Sequence, residues 1–459
     1  MDEKRFDVVV IGGGPAGLSA VSKLNDEGYQ VCLIERNRLG GTCLNYGCDP
    51  TKTLLYTAQQ FHEIPQLAER GIHTENVSLD WERVQQHVAE TLRAFRGGSE
   101  EDSRNFWRER GVEVVIGEAH FTSADTVCVD NQTITAERFV IATGTTAVVP
   151  NIPGLKETGY ITNQEAIYLP ELPHRLAIVG AGPIGVEFAQ MFSRFDVKVT
   201  LIEAVETILP LDDEDLTQEL ARLLKREGVS LKLNTKLKAV EQTAEGKTLT
   251  LETKDGQTET LTADEILLAV GRQSVLPALN PQAAGLELDD DNWLVVDECL
   301  RSSTPHIWGM GDVLGGAQFT GVAEFQGQHV AANLFAADPE PLPQRPIPWV
   351  TFTSPALAHL GQTEQQVQEA GTPYRVARFE MSDAARAKTK GQAEGLVKLL
   401  VNNDDKLLGA HILAHNAGDL LGPLVVMMNN DLPLSALTEA IFPYPTMVEA
   451  VPSAAEAVE

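Results

Sequence analysis

Cys43 and Cys48 stand in the run Gly40-Gly41-Thr42-Cys43-Leu44-Asn45-Tyr46-Gly47-Cys48-Asp49-Pro50-Thr51-Lys52. One distorted helical turn, eased by Gly47, would bring their sulfurs within the roughly 2 Å of a disulfide bond. Such a pair can open and close, storing two electrons. The spacing alone also fits two buried thiols or half of a metal site. Zinc clips use closer pairs and need a second pair, which this sequence does not offer. The flanking glycines, Pro50 and Lys52 favour the redox disulfide, and no metal site is expected.

A redox pair needs an electron donor, and two echoing segments offer sites for one. Phe6–Ile11, then Gly12-Gly13-Gly14-Pro15-Ala16-Gly17 and a helix-like stretch, lead to a second strand, Val31–Glu35. Arg175–Val179, then Gly180-Ala181-Gly182-Pro183-Ile184-Gly185 and another helix-like stretch, lead to Val197–Ile202 and Glu203. Strand, spaced glycines, helix and a closing acid are what a βαβ dinucleotide site requires. The first glycine makes the turn, the second lets the backbone approach a pyrophosphate, and the third lets helix and strand pack. The helix N-terminus faces the phosphates with free N–H groups, and the acid accepts from a ribose hydroxyl.

Between these folds, 76–110 reads as one long polar-faced helical stretch, and 112–147 as short strands ending in Ile141-Ala142-Thr143-Gly144. Beyond the second fold, the apolar strand 265–270 closes in Gly271-Arg272, and 304–312 is a strand ending in Gly311-Asp312. Pro339, Pro341, Pro343, Pro346 and Pro348 mark a domain junction. Apolar strands at 396–401 and 407–413 beside helical stretches predict an α+β C-terminal domain.

A chain of 459 residues is long enough for about three domains with ample cores. With 43% hydrophobic and 22% charged residues it has an ordinary globular composition. Its 36 Lys and Arg stand against 65 Asp and Glu, a net charge of −29, which argues against nucleic acid and anionic membrane surfaces as partners. No apolar run approaches a membrane span. The first strand is expected to begin at Phe6, and no signal peptide is expected ahead of it. Cys32, Cys128 and Cys299 lie in apolar, strand-like surroundings and are expected as small core residues. A single cycling pair suits a reducing compartment, and a cytoplasmic protein is expected.

Taken together, both fingerprints, the cysteine motif and the Gly311-Asp312 strand end resemble a flavoprotein disulfide reductase of the pyridine nucleotide type. That group includes lipoamide dehydrogenase, glutathione reductase and mercuric reductase. The resemblance covers essentially the whole chain. It implies an α/β protein with two Rossmann-like dinucleotide-binding domains, for FAD and NAD(P), plus an α+β dimerisation domain. The implied boundaries are 1–150 for the first part of the FAD domain, 151–271 for the NAD(P) domain, 272–340 for the central part and 341–459 for dimerisation.

For FAD, the resemblance implies Gly12, Gly14, Pro15, Ala16 and Gly17 at the pyrophosphate, Glu35 at the adenosine ribose, and Gly41 and Thr42 at the phosphates and flavin side. Ala119 would meet the adenine through its backbone, and Thr143 and Gly144 would cover the cofactor. Asp312, after Gly311, would hold the ribityl chain, with Phe319 and Thr320 at the flavin edge and Arg272 nearby. For the nicotinamide nucleotide it implies Gly180, Gly182, Ile184, Gly185 and Glu203, with Leu237 and Gly271 lining the pocket. A carboxylate at Glu203 accepts from a free 2′-hydroxyl and repels a 2′-phosphate. Ala204, Val205 and Glu206 supply no compensating cation, so NADH is favoured over NADPH. In the family, Lys52 and Glu187 would pair beside the flavin, where a cation stabilises the reduced ring and the Cys48 thiolate. Cys43 would then be the exposed interchange thiol.

One departure bears on the acceptor. Disulfide-reducing members carry His-Pro-Thr-x-x-Glu near the C-terminus, and its histidine shuttles protons in the partner subunit's site. Here the run is Phe442-Pro443-Tyr444-Pro445-Thr446-Met447-Val448-Glu449. A phenol, with an ordinary pKa of about 10 against about 6.5 for imidazole, is a poor shuttle near neutrality. Mercuric reductases have tyrosine in a similar context, yet the vicinal cysteines they carry at the C-terminus are missing from 450–459. No separate metal-binding domain is expected ahead of Phe6. His411 and His415 are expected as structural residues. The resulting expectation is a homodimeric, FAD-dependent oxidoreductase passing hydride from NAD(P)H through FAD to Cys43/Cys48, and on to a mercuric or other metal ion or a disulfide. Dihydrolipoamide dehydrogenase is the alternative, and a redox-sensing, partner-binding flavoprotein is the alternative of another class.

Overall fold

Val8 and Val10 face one side of the strand Lys4–Ile11 and Val9 and Ile11 the other, and all four are buried. Because successive side chains alternate, a strand apolar on both faces must lie inside a covered parallel sheet. In the computed structural model, which describes residues 4–458, this strand is central to a seven-stranded sheet. Val31–Glu35 and Gln132–Ile141 flank it in parallel; Glu113–Ile116 and Ile307–Gly309 extend the parallel part on either side. Thr126–Val129 and Ala119–Ser123 add an antiparallel edge. One face packs on the helices Pro15–Asp26 and Thr320–Asn333 through Ala20, Leu24 and Val330, and the other on Phe121, Leu276 and Leu286. Cys32 and Cys299 are core residues as expected, whereas Cys128 is half-buried, with its thiol on the Asp130 carbonyl.

The helical stretch expected as one element over 76–110 is two, Trp81–Arg96 and Glu100–Arg108, and 76–80 lies outside both. Gly97 and Gly98 adopt positive φ and stop the first helix. Ser99 and Asp102 then cap the second reciprocally: Ser99 N–H donates to Asp102 Oδ2 at 2.7 Å and Asp102 N–H to Ser99 Oγ at 3.2 Å.

The chain divides into two units. The described residues up to Thr53, with Glu82–Val148 and Arg272–Gln344, form the one just described. Leu54–Trp81, Val149–Gly271 and Arg345 onward form the other. Within this second unit, Ser230–Lys232, Lys198–Ile202, Arg175–Val179 and Glu265–Leu268 make a parallel sheet, beside a three-stranded antiparallel sheet of Thr235–Thr243, Gly246–Thr253 and Thr258–Ala263. The same unit holds a five-stranded antiparallel sheet in the order Trp349–Thr351, Ala356–Gly361, Leu407–Ala414, Leu396–Val401, Arg375–Glu380. Alternate residues of that sheet, Ala358, Leu360, Val397, Leu399, Ala410 and Ile412, face the helices Ala417–Asn429 and Ala450–Glu456. The architecture is the expected one, two dinucleotide folds and an α+β C-terminal sheet. His411 is buried in that sheet with Nε2 on the Gln362 carbonyl, and His415 Nδ1 meets Ser354 Oγ at 3.2 Å. Among the described residues no helix is long and apolar enough to cross a membrane.

Candidate active site

The first glycine turn is built by contacts that exclude side chains at two positions and leave a third open. Gly12 has φ +114°, and a Cβ there would overlap the Ala142 carbonyl oxygen. A Cβ at Gly17 would overlap the Gly12 carbonyl, so the helix Pro15–Asp26 sits directly on the strand end. At Gly14 the nearest atom to such a Cβ is Gly41 Cα, 3.8 Å away. Glu35 closes the second strand, and its Oε2 accepts from Gly13 N–H and Oε1 from Asn37 N–H, both at 2.8 Å. These contacts hold the turn and leave each carboxylate oxygen a further lone pair. Beside the turn, the Thr143 hydroxyl is buried with no hydrogen-bond partner among the described residues, and Gly144, at φ +65°, has open space where a Cβ would stand. An open glycine cradle, a helix N-terminus and an orphaned hydroxyl fit a dinucleotide such as FAD.

Residues far apart in sequence meet around the same turn. Arg272 donates from Nε to Thr145 Oγ1 at 2.6 Å and from Nη2 to the Thr145 carbonyl at 3.0 Å. That hydroxyl in turn donates to Asp312 Oδ2 at 3.3 Å. Burial pushes the Asp312 carboxyl above its ordinary range, against the pull of Arg272 and Thr145. Burial likewise lowers the Arg272 guanidinium, opposed by the charges of Asp312 and Cys48. Gln326 accepts from Gly311 N–H at 2.7 Å, Phe319 is the residue ahead of the helix Thr320–Asn333, and Ala119 pairs with Val129 at the sheet edge. Sequence reasoning missed Thr145 and Gln326, for which no motif exists.

The second turn repeats the first. Gly180 has φ +102° and a Cβ would overlap the Ala269 carbonyl; one at Gly185 would overlap the Gly180 carbonyl; one at Gly182 would meet nothing within 4 Å. Glu203 Oε2 accepts from Ala181 N–H at 2.7 Å and Oε1 from Val205 N–H at 3.1 Å. Ile184 is half-buried beside the turn, and Gly271, at φ +113°, is open. Leu237 lies at a strand irregularity and its side chain belongs to the core with Leu249 and Ile266. Glu187 is buried, with Oε1 accepting from Phe352 N–H at 2.9 Å.

Cys43 lies on the short helix Gly41–Tyr46, and Cys48 opens the helix Cys48–Glu63. Gly47 separates them because a Cβ there would come within 2.9 Å of the Thr42 carbonyl oxygen. Both sulfurs are free thiols, the reduced form of the pair. Thr320 Oγ1 donates to Cys43 Sγ at 3.3 Å and lies 3.7 Å from Cys48 Sγ. A hydrogen bond from Cys43 lowers the Cys48 thiol to about 6, aided by the Lys52 ammonium and Thr320 and opposed by burial and Asp49. Donating that bond and being buried push Cys43 up. The pair is therefore unequal: Cys48 holds the thiolate and Cys43 the proton. Cys43 lines a cavity of about 840 Å³, together with Asp26, Glu27, Lys23, Asp49 and Glu324.

The sequence pattern of a family described as pyridine nucleotide-disulphide oxidoreductase matches residues 6–327, and that of the family's dimerisation domain matches 347–455. The chain belongs to this family. Mercuric reductase from Staphylococcus aureus is 34% identical over 98% of this chain and 82% of its own. Mitochondrial dihydrolipoyl dehydrogenase from Pisum sativum is 32% identical over 98% and 91%. The HOCl-induced flavoprotein disulfide reductase RclA from Escherichia coli, solved as its Cu(II) complex, superposes with a TM-score of 0.90 at 31% identity, covering 100% of both chains.

In this disulphide oxidoreductase, Tyr444 belongs to the dimerisation domain and is 79% exposed. Glu449, five residues on, accepts from Ala385 N–H through Oε1 at 3.1 Å, while its Oε2 is buried with no partner among the described residues.

Proposed function

We propose that this oxidoreductase uses NADH and FAD to reduce Cys43/Cys48, and that the dithiol delivers its electrons to a thiol-reactive metal ion arriving at Cys43. The observation that carries the reading is the charge around Cys43. Asp26, Glu27, Asp49 and Glu324 face one cation, Lys23, in a cavity where no histidine stands among the described residues. Such a wall draws cations and repels polyanions such as glutathione disulfide. Tyr444 in place of an imidazole points the same way, because disulfide exchange needs a proton shuttle that metal-ion reduction does not. The mercuric reductase relatives and the Cu(II) complex of RclA support this acceptor class.

FAD, when bound, carries an electron pair from nicotinamide to sulfur. Gly12, Gly14, Pro15, Ala16 and Gly17 would hold its pyrophosphate, Glu35 its ribose, Gly41, Thr42, Ala119, Thr143 and Gly144 its length, and Asp312, Phe319 and Arg272 the flavin end. Gly180, Gly182, Ile184, Gly185, Gly271 and Glu203 would hold NADH, with Leu237 supporting that pocket from the core and Glu187 and Lys52 by the flavin. An electron pair delivered at Cys48 would break its bond to Cys43, leaving Cys48 as the thiolate, whose charge Lys52 would offset, and Cys43 as the thiol once it takes one proton. Cys43 then binds the acceptor from the cavity. The dimerisation domain supports a homodimer in which Tyr444 and Glu449 complete the neighbour's site; an active monomer in sedimentation at assay concentration would contradict that arrangement.

The test is anaerobic reduction of the purified protein by NADH, followed by Hg(II), Cu(II), lipoamide, glutathione disulfide and quinones as oxidants. Rapid reoxidation by the metal ions with slow reoxidation by both disulfides is expected. Fast lipoamide turnover would instead establish the second reading, dihydrolipoamide dehydrogenase, which the 32% identity to that enzyme keeps in play.

A further inference from the structure

One hydroxyl touches both sulfurs. Thr320 Oγ1 donates to Cys43 Sγ at 3.3 Å and stands 3.7 Å from Cys48 Sγ, and Thr320 and Cys43 line the same cavity. A threonine hydroxyl has one proton to give and rotates freely, so it can serve either sulfur but only one at a time. With tyrosine at 444, a base outside the pair is lacking in the sequence run where relatives place one, yet Cys43 must become a thiolate to bind an acceptor.

We propose that Thr320 is a positioning residue that lets the reduced cysteine pair exchange a single proton internally, so that Cys43 becomes the nucleophile without a histidine. The step balances within the pair. The Cys43 S–H bond breaks, the proton passes to the Cys48 thiolate and forms its S–H bond, each sulfur keeps its electron pair, and the Thr320 O–H turns to the sulfur that now bears the charge. No oxidant or external base takes part. Thr320 is suited to this because its hydrogen bond favours the thiolate on either cysteine. The inference rests on the reading of Cys43 as the acceptor-facing sulfur, but not on which acceptor it meets.

The experiment follows alkylation by iodoacetamide of the holoenzyme reduced anaerobically by two electrons, with the modified cysteine identified by peptide mass, from pH 4.5 to 10. If the pair shares its proton, Cys43 alkylation rises with the same midpoint as the long-wavelength charge-transfer absorbance that a Cys48 thiolate against oxidised FAD would give, since both report one proton leaving the pair. Cys43 reacting only with a second, more alkaline midpoint would overturn the proposal in the wild-type protein, with no variant needed. In Thr320→Val, Cys43 alkylation at pH 7 should fall about tenfold or more, the loss expected for a hydrogen bond to a charged group, and the absorbance midpoint should rise, while Thr320→Ser keeps both near wild type. Unchanged pH profiles in the valine variant, or a serine variant that behaves like valine, would also defeat it. Alkylation of Cys48 in preference to Cys43 would instead refute the acceptor-facing reading of Cys43, separately from the role of Thr320.

Discussion

Lys52 stands one helical turn beyond Cys48 on the helix that Cys48 opens, and its ammonium helps hold that thiol at about 6. A thiol depressed to this value is a thiolate above pH 6 and protonated below it. The long-wavelength absorbance of the two-electron-reduced holoenzyme should therefore appear as pH rises through about 6. Cys48→Ser should abolish it, and Lys52→Met should raise its midpoint by about one pH unit. A band that persists in the serine variant would reassign the thiolate.

NADH should exceed NADPH in kcat/KM, because both oxygens of Glu203 are already fixed, one on the glycine turn by Ala181 N–H and one at the strand end by Val205 N–H, and cannot swing away from a 2′-phosphate. Glu203→Ala should narrow the preference by about tenfold or more, equivalent to roughly 1.4 kcal/mol of lost discrimination. Steady-state kinetics with the two nucleotides decide it, and a wild-type preference for NADPH would overturn the reading.

Two glycines of the second turn, Gly182 and Gly185, should separate folding from binding. Gly182 has ordinary φ and nothing within 4 Å of a Cβ, so Gly182→Ala should melt like the wild type and yet raise the KM for NADH about tenfold by filling the pyrophosphate's approach. In Gly185→Ala the methyl would overlap the Gly180 carbonyl, costing about 1–3 kcal/mol of stability. Thermal melting and nucleotide titration read the two effects, and an unchanged KM in Gly182→Ala would argue that nucleotide does not lie over this turn.

Tyr444→His restores the base that disulfide-reducing relatives carry. Glu449 keeps one buried oxygen without a partner among the described residues, ready to orient an imidazole. Lipoamide and glutathione disulfide turnover should rise by up to roughly 10²-fold, the scale of a positioned acid–base group, with metal-ion reduction little changed. A folded variant with no gain, beside a wild type already fast on lipoamide, would return the enzyme to dihydrolipoamide dehydrogenase chemistry.

The glycine turns, Glu35, Glu203 and the cysteine pair were legible in the sequence because their contacts are local or are set by a single βαβ unit, where spacing dictates geometry. The end of the first long helix is legible on the same terms, since Gly97-Gly98-Ser99 is a stop followed by a cap, although the polar periodicity on either side of it runs on as in one helix. Other features have no local signature. Thr145 reaches Arg272 across 127 residues and Asp312 across 167, and Thr320 reaches Cys48 across 272 and Cys43 across 277. The inequality of the two thiols is likewise a product of the fold. The Cys43 hydrogen bond, burial, Lys52, Thr320 and Asp49 act on Cys48 together, and their balance depends on depth and distance, which only the packed chain supplies.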